Sequence, residues 1–274
     1  MEALRQVEKW PVGTAAAGVT RADADAGTTG ERTATFPWAS VTKLATALAS
    51  LVAAEEGVVE LDEPAGPPGS TLRHLLAHAS GLAPDGELPI AQPGTRRIYS
   101  NAGFEVLAGV VSDRTEMPFA EYLGQAVLEP LGLSASLHGS PASGLSGSLD
   151  DLLRLGREFL APSLIAPETL AEATTVTFPG LVGVLPGFGR MDPNDWGLGF
   201  ELRDEKRPHW TGERNSPSTF GHFGQSGSFL WVDPAAGLAC ACLSDTGFGD
   251  WAKDAWPRLS DAVLEQQVSN GAAV

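Results

Sequence analysis

The sequence predicts an α+β fold in which one sheet is assembled from both ends of the chain around a helical middle. Apolar alternation with a period near two is confined to the ends, periodicity near 3.6 fills the middle, and no repeat or long linker interrupts the 274 residues. A chain of this length exceeds a typical domain of roughly 100 to 200 residues, so one large domain or two intimately joined lobes is expected.

Residues 1–37 are rich in Ala, Gly and Thr, and TAAAGVT followed by RADADAGTTGERT reads as a weak strand and turn region. ASVTKLATALASLVAAEEG, residues 39–57, follows as an amphipathic helix. Val41, Leu44, Ala45, Leu48, Leu51 and Val52 recur at helical spacing, and Gly57 supplies the stop. The turn DEPAGPPGS leads to a second helix whose start is marked by Ser70, with Leu72, Leu75 and Leu76 as its apolar residues. NAGFEVLAGVVSD carries Phe104, Leu107 and Val111 on one face, and PFAEYLGQAVLEPLGL opens with Pro118 as a first-turn proline. SLDDLLRLGREFL begins with a serine cap, Ser148, followed by Asp150 and Asp151. Beyond about residue 185, WGLGFEL and FGHFGQSGSFLWVDPAAGLACACLSD alternate as strands, with DPAAG as a hairpin turn. WAKDAWPRLSDAVLEQQV closes the chain as a helix with a proline near its first turns.

Composition narrows the function. Hydrophobic residues at 43% and charged residues at 19% place the chain among globular proteins. Eighteen basic against 34 acidic residues give a formal charge of −16, a field that repels phosphate backbones and anionic membrane surfaces, so neither nucleic acid nor membrane is an expected partner. Cys240 and Cys242 share one face of a strand and serve as small buried hydrophobes, with no disulfide framework. The charged N-terminus lacks a signal-peptide run and no stretch reaches the ~20 apolar residues of a membrane span, so a cytoplasmic location is expected.

Three constellations could carry chemistry. Ser40 and Lys43 lie three apart on one helix face, so their side chains can meet. A serine hydroxyl needs a base, and an amine can be that base only if its pKa falls from ~10.4 towards neutrality. Burial and the positive end of the helix both push Lys43 that way. Taken singly, Ser40 also fits a helix cap. In RIYSNAGF, Tyr99 can relay a proton and the Asn101 amide can hold a substrate carbonyl, although Ser100 or Asn101 as a cap with Tyr99 packing explains the same residues. In GHFGQSGS, Gly224 permits close backbone approach, a strand-edge amide can complete an oxyanion hole, and His222 can supply a hydrogen-bonding or positive field or be a satisfied strand histidine.

In this order, SVTK, YSN and HFG resemble the serine β-lactamase and penicillin-binding protein superfamily, most closely its class C branch, which also holds small esterases and D-aminopeptidases. LLAHASGL, PGTRRIYSN and the FLWVDPAAGLACACLSD hairpin extend the likeness over about residues 36 to 245. The resemblance implies a β-lactamase/transpeptidase-like fold: an antiparallel sheet flanked by helices, with an all-helical lobe inserted and the site between them. Residues 1–60 and 187–274 then form the α/β lobe and 61–186 the mainly helical one. It also implies Ser40 as nucleophile, Lys43 as base or base partner, Tyr99 as proton relay and Asn101 as a substrate-amide contact. His222 takes the place of the third motif's basic residue, and the amides of Ser40 and Gln225 are the oxyanion donors.

Phe223 stands where penicillin-recognising relatives carry a hydroxyl, and histidine is a weaker cation than lysine at neutral pH. Both changes favour esterase-like work on a neutral acyl group. The expected protein is therefore a serine hydrolase that forms an acyl-enzyme on a small ester, amide or lactam and needs no cofactor or metal. A D-Ala-D-Ala carboxypeptidase or true β-lactamase is the alternative within enzymology, and a catalytically silent peptide- or metabolite-binding protein the alternative outside it.

Other candidates are weaker. His74 and His78 have helical metal-ligand spacing but lack the glutamate of H-E-x-x-H and a third ligand, so they read as structural. Neither GQSGS nor GLSGS completes the G-x-S-x-G elbow. Among the tryptophans, Trp38 is expected to line the pocket.

Overall fold

A computed structural model describes residues 1–86 and 88–271. Its strands are β1 (Ala15–Thr20), β2 (Asp25–Thr29), β3 (Phe36–Pro37), β4 (Ser136–Leu137), β5 (Leu145–Gly147), β6 (Gly183–Leu185), β7 (Gly189–Met191), β8 (Glu201–Leu202), β9 (Phe220–Gly224), β10 (Ser228–Asp233) and β11 (Leu238–Ser244). Its α-helices are α1 (Thr42–Glu55), α2 (Leu72–Leu76), α3 (Asn101–Thr115), α4 (Phe119–Leu123), α5 (Leu149–Leu160), α6 (Pro167–Ala173) and α7 (Asp250–Gly271).

Both ends of the chain enter one six-stranded sheet of order β2-β1-β11-β10-β9-β8, antiparallel throughout. The DPAAG turn joins β10 to β11 as the sequence predicts, with Asp233 opposite Leu238. Side chains alternate between two buried faces, which is why both strands are apolar apart from polar residues at their ends. Leu230, Val232, Ala239 and Ala241 join the core of the helical side, whereas Phe229, Trp231, Cys240 and Cys242 pack with Trp256, Leu259 and Val263 of α7. Both cysteines are buried and free.

The structure departs from the sequence reading at several elements. Helix α1 is not amphipathic: every residue from Thr42 to Ala53 is buried, polar ones included, because it runs through the middle of the molecule. The cap of α2 is Thr71, whose hydroxyl accepts from the His74 amide, and not Ser70. Pro118 is the residue before α4 and not its first turn, and the helix passes into a π turn, Gly124–Leu128. Pro257 lies inside α7, two turns from its start. As the sequence predicts, Ser148 caps α5, with a reciprocal Asp151 box, and of the two cap candidates for α3 it is Ser100 that caps.

Helix α5, drawn from the 61–186 segment expected to form the helical lobe, instead lies on the sheet. Gly156 allows this contact, since a Cβ there would stand 2.9 Å from the Ala239 Cβ. Among the described residues, no helix is long and apolar enough to cross a membrane.

Candidate active site

Ser40 sits in a single 3₁₀ turn, Ala39–Val41, that feeds directly into α1. The turn is held from both sides. The Trp38 amide donates to the Leu145 carbonyl at 2.9 Å, and the Trp38 carbonyl accepts from the Ser228 hydroxyl at 2.8 Å. Ser226 donates to the Pro37 carbonyl at 2.7 Å, so the β9–β10 hairpin is stapled to the segment before the serine. Ala39 has φ = 44°, a left-handed conformation that costs an alanine roughly 1 kcal/mol or more and persists only where surroundings impose it. Gly224 closes against this turn: a Cβ there would stand 2.3 Å from the Trp38 carbonyl oxygen and 2.5 Å from the Ser228 hydroxyl. The HFG segment and the Ser40 turn are thus in close contact, a reason for glycine at 224 independent of any ligand.

Lys43, one turn into α1, is fully buried. Its Nζ donates to Asn101 Oδ1 at 2.7 Å and to the Ala142 carbonyl at 2.9 Å, and lies 3.5 Å from Ser40 Oγ. Burial lowers its pKa to about 7, only partly offset by the charges of Asp85 and Glu105. A neutral amine has two N–H bonds and one lone pair. With both N–H groups engaged by Asn101 and Ala142, the lone pair is left for the serine. The Tyr99 hydroxyl donates to Ser40 Oγ at 2.7 Å. Burial raises the Tyr99 pKa strongly, so the phenol is a proton donor at neutral pH.

The structure brings Ser40, Tyr99, His222 and Gln225 to one cleft of about 30 Å³, whose wall also includes Leu185, Pro186, Trp196, Glu201 and Phe223. Asn101 is not part of that wall. Its Oδ1 accepts from Lys43 and its Nδ2 donates to Asp85 at 3.0 Å, so it holds the amine in place. His222 contacts the Phe223 carbonyl through Nδ1 at 2.7 Å, which puts the proton on Nδ1 and leaves Nε2 a bare acceptor. Among the described residues, that Nε2 has no hydrogen-bond partner. Burial, reinforced by Lys43, lowers the His222 pKa to about 3, so the ring is neutral and cannot serve as the cation expected of the third motif.

Trp38 is fully buried and does not line the cleft; Trp196 does. His74 pairs with the Thr71 hydroxyl and stacks on Phe178, while His78 accepts from the Ser100 amide and packs at 4.7 Å against the Tyr99 ring. Sequence reasoning missed Glu201, whose carboxylate meets Lys206, His209 and the Trp210 indole. Burial pushes this carboxyl up, but His209 and Lys206 outweigh it and hold it down at about 2. One signal was present: a lone glutamate between Phe200 and Leu202 in an otherwise apolar strand.

A profile of the Beta-lactamase family matches residues 7–264. The chain belongs to this family. The resemblance drawn from the motifs is thereby borne out, as is the β-lactamase-like fold. A crystal structure of a beta-lactamase from Mycobacterium bovis superposes with a TM-score of 0.96 at 54% identity, covering 97% of this chain and 99% of that one. EstCE1, described as a hydrolase with promiscuous acyltransferase activity, shares the Beta-lactamase family fold at a TM-score of 0.79 and 18% identity, over 96% of this chain and 97% of its own. Among curated sequences, Protein Rv1367c of Mycobacterium tuberculosis is 26% identical over 234 residues, 62% of this chain. The match spans 58% of that relative's length.

Proposed function

We propose that the protein is a serine hydrolase that forms an acyl-enzyme through Ser40 and prefers uncharged esters. The observation that carries this reading is the line of Tyr99, Ser40 and Lys43, in which a buried amine with a pKa near 7 faces a hydroxyl already hydrogen-bonded to a phenol. In the proposed cycle Ser40 Oγ attacks the carbonyl carbon as its proton passes to neutral Lys43. The amides of Ser40 and Gln225 hold the oxyanion. On collapse the scissile C–O bond breaks, Tyr99 gives its proton to the departing oxygen, and Lys43 restores it. Water then repeats the sequence on the acyl-enzyme.

Preference for an uncharged substrate rests on His222 and Phe223. A bare imidazole nitrogen and a phenyl ring offer no donor to a substrate carboxylate, and burying that anion unpaired is expensive.

The test is labelling with a fluorophosphonate, followed by intact mass, beside turnover of p-nitrophenyl acetate and nitrocefin. One adduct on wild type, none on Ser40→Ala, and acetate turnover exceeding nitrocefin turnover are expected. Equal labelling of both proteins removes Ser40 from the role. A second reading, β-lactam hydrolysis, is favoured by the name of the M. bovis structure at 54% identity. Nitrocefin turnover above that of the acetate would establish it.

A further inference from the structure

The cleft beside Ser40 is small, about 30 Å³. The bulk of a large substrate is better accommodated in a roomier space beside it. A groove of about 360 Å³ adjoins the cleft and shares Tyr99 and Pro186 with it. Its wall is apolar over Pro84, Ile90, Ile98, Val184 and Pro186. Arg97, also on the wall, has its guanidinium engaged by the carbonyls of Asn194, Ala77, Thr177 and Phe178, which leaves the exposed Arg96 as the wall's outward charge.

Four large hydrophobic side chains are exposed among the described residues, and two of them, Ile90 and Val184, stand on this wall. Ile90 is 61% and Val184 58% exposed, and Leu88, two residues from Ile90, is 78% exposed. Such a cluster on an otherwise acidic protein marks a binding surface. The groove is held open by backbone pairing: the Arg97 amide donates to the Val182 carbonyl at 3.0 Å, and the Ile90 amide to the Gly81 carbonyl at 2.8 Å.

We propose that this groove is the subsite for the leaving group, and that the substrate is an ester of a small acyl group with a bulky or long apolar alcohol. The assignment rests on the acyl-enzyme reading above. Tyr99 borders both spaces, and because its hydroxyl protonates the departing oxygen the alcohol lies against Tyr99 at the mouth of the larger groove, with the small acyl group in the tighter cleft.

Two ester series test this. Acetates of ethanol to octanol vary the alcohol, and ethyl esters from acetate to octanoate vary the acyl chain, with acid release followed by pH-stat. Each methylene buried in the groove is expected to raise kcat/KM about fourfold along the first series until the groove is filled. Along the second, kcat/KM is expected to fall beyond butanoate. Val184→Asp and Ile90→Asp, both at exposed positions, should flatten the slope of the alcohol series. A rise with acyl length, or an alcohol-series slope unchanged in both variants, overturns the assignment. Flat series on protein whose Ser40 still takes the fluorophosphonate sink the groove alone; loss of that label in wild type sinks the acyl-enzyme reading and the groove with it.

Discussion

Lys43 and Lys206 are both buried side chains, and they differ in what surrounds them. Lys43 meets neutral acceptors, an amide oxygen and a backbone carbonyl, and its pKa falls to about 7. Lys206 meets the Glu201 carboxylate as well as the carbonyls of Asp195 and Leu202. The partner distinguishes the two sites: Lys43 is buried among neutral acceptors, whereas Lys206 is buried in an ion pair.

Replacing each lysine by methionine separates the two roles. Lys43→Met should lower kcat/KM for p-nitrophenyl acetate by about 10³-fold or more, since the serine loses its base. Its thermal midpoint should not fall, because the buried amine and its desolvation cost disappear together. Lys206→Met should do the reverse to stability, leaving Glu201 buried without its cation at a cost of about 3 kcal/mol, read by urea denaturation. Similar midpoints for the two variants would break the comparison.

A finer probe converts one lysine environment into the other. Asn101→Asp places a carboxylate on Lys43 beside the charge of Asp85, and should raise the Lys43 pKa by about 1 unit or more. In wild type the amine is protonated and inactive below its pKa, so kcat/KM should rise with pH through about 7 and level off above it. In Asn101→Asp that limb should move to higher pH, with a loss of about fivefold or more at pH 7 that is recovered at pH 9. An unmoved limb would mean that Lys43 does not set the profile.

The two regions were unequally legible in the sequence. Ser40 and Lys43 are local, three residues apart on one helix, and period and spacing sufficed to pair them. Asn101 was found as a residue but its contact with Lys43 was not, because that contact spans 58 positions and depends on where α3 begins. Glu201, Trp196 and the Ala142 carbonyl enter the site through folding alone, from a strand end and two loops with no spacing relation to the serine. The sheet was readable from alternation and the DPAAG turn. Helix α1 was misjudged because alanine and threonine look like a solvent face in a periodicity plot, yet are small enough to be enclosed on all sides.

The missing side chain at Gly224 also limits where new specificities can arise. Because the hairpin rests on the Trp38 carbonyl with no room for a methyl group, the gap between hairpin and Ser40 turn is set by main-chain thickness and cannot be widened by side-chain exchange. Diversity in accepted molecules must come from the opposite bank, where segments 84–98 and 183–188 carry exposed residues. A randomised library at 90 and 184 should therefore yield active enzymes with shifted preferences far more often than one at 223 and 224.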